Sequence, residues 1–316
     1  MKTMKWLIKR ELWEHKGMIV WAPAVVAALV AVMTLGGLLL GRNVALSGGG
    51  GGKLSVELAG PARDTIIAMA SDFYMAASVP ILLMLGFLVF FYCLGALHDD
   101  RRDRSLLFWK SLPVSDHMTV LSKVVLALVA IPLVALLIGI ALSLVIALLL
   151  GVGMAMHGVN LIGPVLSSPS FYLAPLRLIG LLPVYVLWAL PTVGWLLLVS
   201  SWARSKVFLW AVGAPLVAGA LIAWTNKIFA LGISPGWFME NIVARLLLGV
   251  APGSWFGFSR VDPHHLVREG AEHVRAVDLF SASWGTLTHP ALWLGVVAGL
   301  AMIAGAVWMR RWRDEG

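Results

Sequence analysis

The sequence predicts an all-α fold: a polytopic membrane protein with six transmembrane helices and an N-terminal interfacial helix. Three observations carry this. No Asp, Glu, Lys or Arg occurs from Gly17 to Gly41, from Phe73 to Leu97, or from Val124 to Leu176. A helix needs about 20 apolar residues to cross a bilayer core, so each run supplies at least one crossing. Only 13% of the 316 residues are charged and 60% are hydrophobic, giving a mean hydropathy of +0.89. A soluble domain averages about 25% charged residues, so this chain lacks the charge to cover a water-facing surface of its size. Finally, the basic residues cluster between alternate runs, as they do in multi-span proteins.

Two regions follow: an interfacial elbow helix over residues 1–17 and a six-span domain over residues 18–316. The elbow is basic, with Lys2, Lys5, Lys9, Arg10 and Lys16. Met4, Ile8 and Leu12 recur every four residues on one helical face, while Trp6 and Trp13 share another, suited to the headgroup layer. The apolar stretch from Met18 exceeds the 7–15 residues of a signal-peptide core, so an uncleaved first span is expected. The six spans are expected at about 18–40, 74–97, 124–150, 176–200, 207–224 and 290–308. The five glycines Gly48–Gly52 argue for a loop. Residues 151–175 are uncharged but contain Gly163, Pro164, Ser167, Ser168 and Pro169, and read as a loop. Pro132, Pro183, Pro191 and Pro215 fall inside spans, where they free carbonyls and permit kinks.

With six spans, the segments on the N-terminal side of the membrane hold 15 of the 24 basic residues. The basic-residue rule therefore places both termini in the cytoplasm, and the protein in a bacterial inner membrane. The segment 225–289 between the fifth and sixth spans is then external.

Several chemistries are excluded. The one cysteine, Cys93, cannot form an intrachain disulfide or a cysteine metal site. The string Gly48–Lys53 resembles a phosphate-binding loop but has Ser47 and Leu54 where the Walker pattern needs Gly and Ser or Thr. The chain therefore has no ATPase motif of its own. No His-Glu-x-x-His zinc helix occurs, and the predicted spans hold no paired acids of the kind that ion-coupled carriers use. No basic patch is interleaved with aromatics, which argues against nucleic acid as a partner. One weak metal candidate exists outside the spans: His265, Glu269 and His273 are spaced four apart and would share a helical face.

Residues 98–123, HDDRRDRSLLFWKSLPVSDHMTVLSK, carry the functional argument. Leu106, Leu107, Phe108 and Trp109 form a run of large apolar residues inside a charged segment, and such groups usually find a partner. Pro113 ends the short helix expected there, and Ser115 suits the N-cap of the next one. Leu112-Pro113-Val114-Ser115, preceded by Asp103 and Arg104 and followed by Lys123, resembles the permeases of type-2 ABC exporters. The match departs at Asp103-Arg104-Ser105, where that family usually has Glu-x-Gly-Thr.

The resemblance implies a coupling helix that binds a separate ATPase through Asp103, Arg104, Leu106, Leu107, Phe108, Trp109, Lys110 and Pro113. It also implies two permease copies with two ATPase copies. ATP and Mg would be held by the ATPase, with no cofactor in this chain. Short re-entrant helices would precede the sixth span, and Trp237–Val250 is the candidate, flanked by Pro235-Gly236 and Pro252-Gly253. The alternatives are a membrane-embedded enzyme or non-transporting accessory subunit, and a secondary carrier.

Overall fold

The computed structural model describes residues 2–40, 72–102, 115–156, 162–229, 232, 234–259 and 276–313. Among these, helices supply all the regular structure and no strand occurs. Six helices are long and apolar enough to cross a membrane: Gly17–Leu39, Asp72–Arg101, Asp116–Met156, Phe171–Trp202, Val207–Phe229 and Pro290–Arg310. They are called here the first to sixth spans. The chain is thus an all-helical, multi-pass membrane protein, as its uncharged runs require.

The boundaries follow local chemistry. Ser115 takes an extended conformation and accepts from the N–H of Met118, so it is the N-cap of the helix opened by Asp116. Pro80 falls in the first turn of helix Val79–Ala96, where its missing N–H costs nothing. The turn between the fourth and fifth spans closes with Lys206 in the left-handed region, at φ 51°. Pro132 cannot donate to the Leu128 carbonyl, and a wide π turn, Leu126–Ala130, precedes it directly.

The described residues of 151–175, expected to form a loop, are mostly helical. The third span continues to Met156, a short helix covers Ile162–Leu166, and helix Pro169–Gly180 leads into Leu182–Trp202. Pro169 sits in the first turn and is favourable there, so a proline taken as a loop signal is a helix start. The break at Leu181 has a proline cause: Pro183 lacks the N–H that would bond back to Ile179.

The fourth span is the hub. Trp188, Val193, Leu196 and Leu197 on it are fully buried, with Tyr92, Ile81 and Leu85 of the second span and Leu126 and Ile131 of the third. Its contact with the sixth span is backbone to backbone. A Cβ on Gly194 would lie 2.6 Å from the Gly299 carbonyl oxygen. Close approach through small residues is how membrane helices gain packing energy without a hydrophobic driving force. The first span differs. Val25, Leu29, Val32 and Met33 are exposed, and Gly36 and Gly37 have nothing within 4 Å of an added Cβ.

Residues 235–248 form one helix in three stretches, Pro235–Phe238, Met239–Val243 and Ala244–Leu248. It is too short to span. The Thr192 hydroxyl, midway along Leu182–Trp202, donates to its Arg245 carbonyl at 2.7 Å. A Cβ on Gly249 would lie 2.9 Å from the Trp188 carbonyl oxygen. The helix therefore packs against the fourth span, within the segment Trp237–Val250 named as the re-entrant candidate. Arg245 fixes it. Its guanidinium lies 4.8 Å over the Trp188 ring and donates to the carbonyls of Ala291 and Leu292, where the sixth span begins.

Candidate functional site

The charged ends of the helices meet at one pole. Lys123 opens the long uncharged part of the third span, yet its side chain is only 1% exposed. The reason is helical register: Val120, Lys123, Val124 and Ala127 share the buried stripe of that helix. Its ammonium donates to the Glu11 carboxylate at 3.0 Å and lies 3.2 Å from Asp100 at the end of the second span. Glu11 is likewise buried, because Leu7 and Glu11, one turn apart, form the inward face of the N-terminal helix Lys2–Glu14. The expected stripe of Met4, Ile8 and Leu12 is half-buried and flanks it. Trp6 and Trp13 point outward as expected.

The remaining Glu11 contacts satisfy its oxygens. The Tyr92 hydroxyl donates to Oε2 at 3.3 Å, and Arg10 donates to Oε1 at 3.2 Å. On the other side, Arg310 near the end of the sixth span approaches Asp100 at 3.6 Å and donates to Asp116 at 3.2 Å. The result is a chain of alternating charge: Arg10, Glu11, Lys123, Asp100, Arg310, Asp116. Each buried charge has an opposite neighbour, the condition under which ions tolerate a dry interior. Exposure rises outward, from 1% at the Lys123 side chain to 37% at Asp116.

The fourth span joins the same pole through its last turn. The Ser200 hydroxyl accepts from the N–H groups of Leu97 and His98 at 3.1 and 3.0 Å, where helix Val79–Ala96 gives way to His98–Arg102. The Arg101 guanidinium donates to the carbonyls of Ser200 and Ala203. Those carbonyls end a helix, where a cation meets the negative end of its dipole.

Both stems of the 103–114 segment therefore leave from one fixed platform. Asp100 and Arg101 anchor the first stem, and Asp116 anchors the second. The platform binds them to the N-terminal helix and to the third, fourth and sixth spans. The residues expected to grip a partner, Asp103, Arg104, Leu106, Leu107, Phe108, Trp109, Lys110 and Pro113, lie outside the described residues. So do Gly48–Gly52 and the metal candidates His265, Glu269 and His273. Among the described residues, no group of three or more metal-ligating side chains occurs.

The enzyme alternative can be weighed on one string. Gly232-Ile233-Ser234-Pro235-Gly236 has the spacing of a hydrolase nucleophile elbow. That motif requires a strand running into a helix. Here helix Val207–Phe229 precedes it, and Ser234 is the exposed residue before a helix that Pro235 opens. The serine therefore precedes a helix start and does not sit on a strand-to-helix elbow.

Fold and platform together define a six-span membrane protein with its N-terminal helix and the end of its sixth span at the same pole. Comparison with protein-family models, with curated proteins and with solved structures finds no match.

Proposed function

We propose that this chain is the membrane-spanning permease subunit of an ABC transporter, exporting a hydrophobic or amphipathic substrate. ATP is hydrolysed by a separate subunit, present in two copies and bound to two permease copies. In this reading the 103–114 segment faces the cytoplasm and is the handle that the ATPase moves, and the protein sits in a bacterial inner membrane.

One observation carries the reading. The two stems of that segment, the ends of the second and third spans, are locked by alternating charges to the N-terminal helix and the sixth span, and by Arg101 and Ser200 to the fourth. A loop with no mechanical duty would not need such anchorage, because surface loops are ordinarily held by few contacts. A push on Leu106–Trp109 passes through the stems into the second and third spans as a rigid-body shift. Through Arg101 and Ser200 it reaches the fourth span, and through Arg310 the sixth. The Leu112-Pro113-Val114-Ser115 sequence and the helix 235–248 before the last span support the same reading.

The test is capture of the motor. Wild-type protein purified from native membranes in mild detergent is expected to bring down a subunit with Walker motifs, identified by mass spectrometry. Leu107→Asp with Phe108→Asp should lose that subunit while inserting into membranes normally. Undiminished capture by the double variant contradicts the handle role, and absence of any such subunit from the wild type contradicts the transporter reading.

A further inference from the structure

At the pole opposite the charges, a cavity of about 370 Å³ opens between the start of the second span, the start of the fourth and the segments around Trp255 and Leu279. Ligand pockets run from roughly 300 to 1,000 Å³, so it is large enough for a slender guest. Its walls are mostly aliphatic, with Leu82, Leu136, Leu178 and Leu182 from three spans. The polar groups in the walls are already engaged. The Tyr185 hydroxyl donates to the Val250 carbonyl at 3.1 Å. Ser283 donates to the Leu279 carbonyl at 2.7 Å and accepts from the Trp255 indole at 3.0 Å. The one lining residue charged at neutral pH, Asp72, is the first residue of the second span and has a partner of its own.

We infer that this cavity binds a hydrocarbon chain that enters sideways from the bilayer. Water is a poor filler, since a buried water needs two to four polar partners and the hydroxyls of these walls are already engaged. A sugar, peptide or ion would lose its hydration without compensation. An empty apolar space forfeits dispersion contacts on every wall. The lateral route is visible on the second span. Val79 and Leu83 line the cavity and are also exposed among the described residues, so the cavity opens at the side of the second span. The chain could belong to a bilayer phospholipid or to a single-chain amphiphile, and the site recognises the feature they share. The inference goes beyond the transport reading and does not depend on an ATPase.

The test uses purified full-length protein in nanodiscs with two photoreactive probes: a phospholipid bearing a terminal diazirine on one acyl chain, and a long-chain fatty alcohol bearing the same group. Labelling is expected on peptides covering 75–85 and 252–256, saturable and competed by the unlabelled compound. Leu82→Trp and Leu279→Trp, which fill the cavity from different walls, should each cut it about tenfold, a change of roughly 1.4 kcal/mol in binding. Leu29→Trp on the exposed face of the first span should leave it unchanged. Competition on the wild type decides the matter even if a tryptophan variant misfolds. A signal from the phospholipid probe alone assigns the site to a resident lipid, and competition by the alcohol assigns it to a mobile amphiphile. Labelling that is non-saturable, or spread over the exposed faces of the first and fifth spans, overturns the proposal.

Discussion

The two poles of the bundle solve the problem of a low-dielectric interior in opposite ways. At one, six charged residues sit in alternating order, and every buried ion is satisfied by its neighbours. At the other, the cavity walls are aliphatic and their few polar groups are engaged. Paired charges are intolerant of displacement, because moving one partner strands the other. Apolar walls tolerate a guest of variable shape, because dispersion is not directional. The charged pole therefore favours one geometry, and the apolar pole leaves room for more than one.

Breaking the charged pole should give the largest effect. Lys123→Met leaves Glu11 without its closest buried cation and is expected to cost about 3–5 kcal/mol. The loss would show as a lower unfolding midpoint in detergent, measured with a thiol-independent probe. Adding Glu11→Gln should recover part of it, since the stranded carboxylate is then gone. Additive losses would mean that the two groups do not act as a pair.

Packing gives the next effect, and it separates the hub from the periphery. Gly194→Leu drives the fourth span off the sixth and should cost about 1–3 kcal/mol or more. Gly37→Leu on the first span meets open space and should change stability by less than about 0.5 kcal/mol. Equal effects would show that the first span is packed by something beyond the described residues. Ser200→Ala removes the acceptor of two backbone N–H groups and should cost about 1–3 kcal/mol. The smallest effect is expected at Asp116→Asn. That carboxylate is over a third exposed, so its pair with Arg310 is worth about 0–1 kcal/mol.

The fold was legible because its signal is local. An uncharged run long enough to cross a bilayer announces a helix whatever it packs against, and all six were placed within a turn or two at most ends. The misreading of 151–175 has a specific cause. Proline and serine mark helix starts as well as loops, and Pro169 with Ser168 before it is such a start. The charged platform was not legible in the same way. Lys123 and Glu11 are 112 residues apart, and Arg310 and Asp116 are 194 apart. At a membrane edge each looks like an ordinary interfacial charge. One signal was available: Lys123 falls on the apolar stripe of Val120, Val124 and Ala127, and Glu11 falls one turn after Leu7. A charge on the inward face of a helix asks for a partner.

The most direct measurement concerns the side of the membrane on which the 103–114 segment lies. Cys93 is the sole cysteine and is buried, so Cys93→Ala gives a clean background. Ser105→Cys in that background should react with a membrane-impermeant maleimide in inside-out vesicles and stay unreactive in right-side-out ones. Reaction from the outer side instead, or no reaction in either orientation with the protein folded, would contradict a handle held out to a cytoplasmic motor.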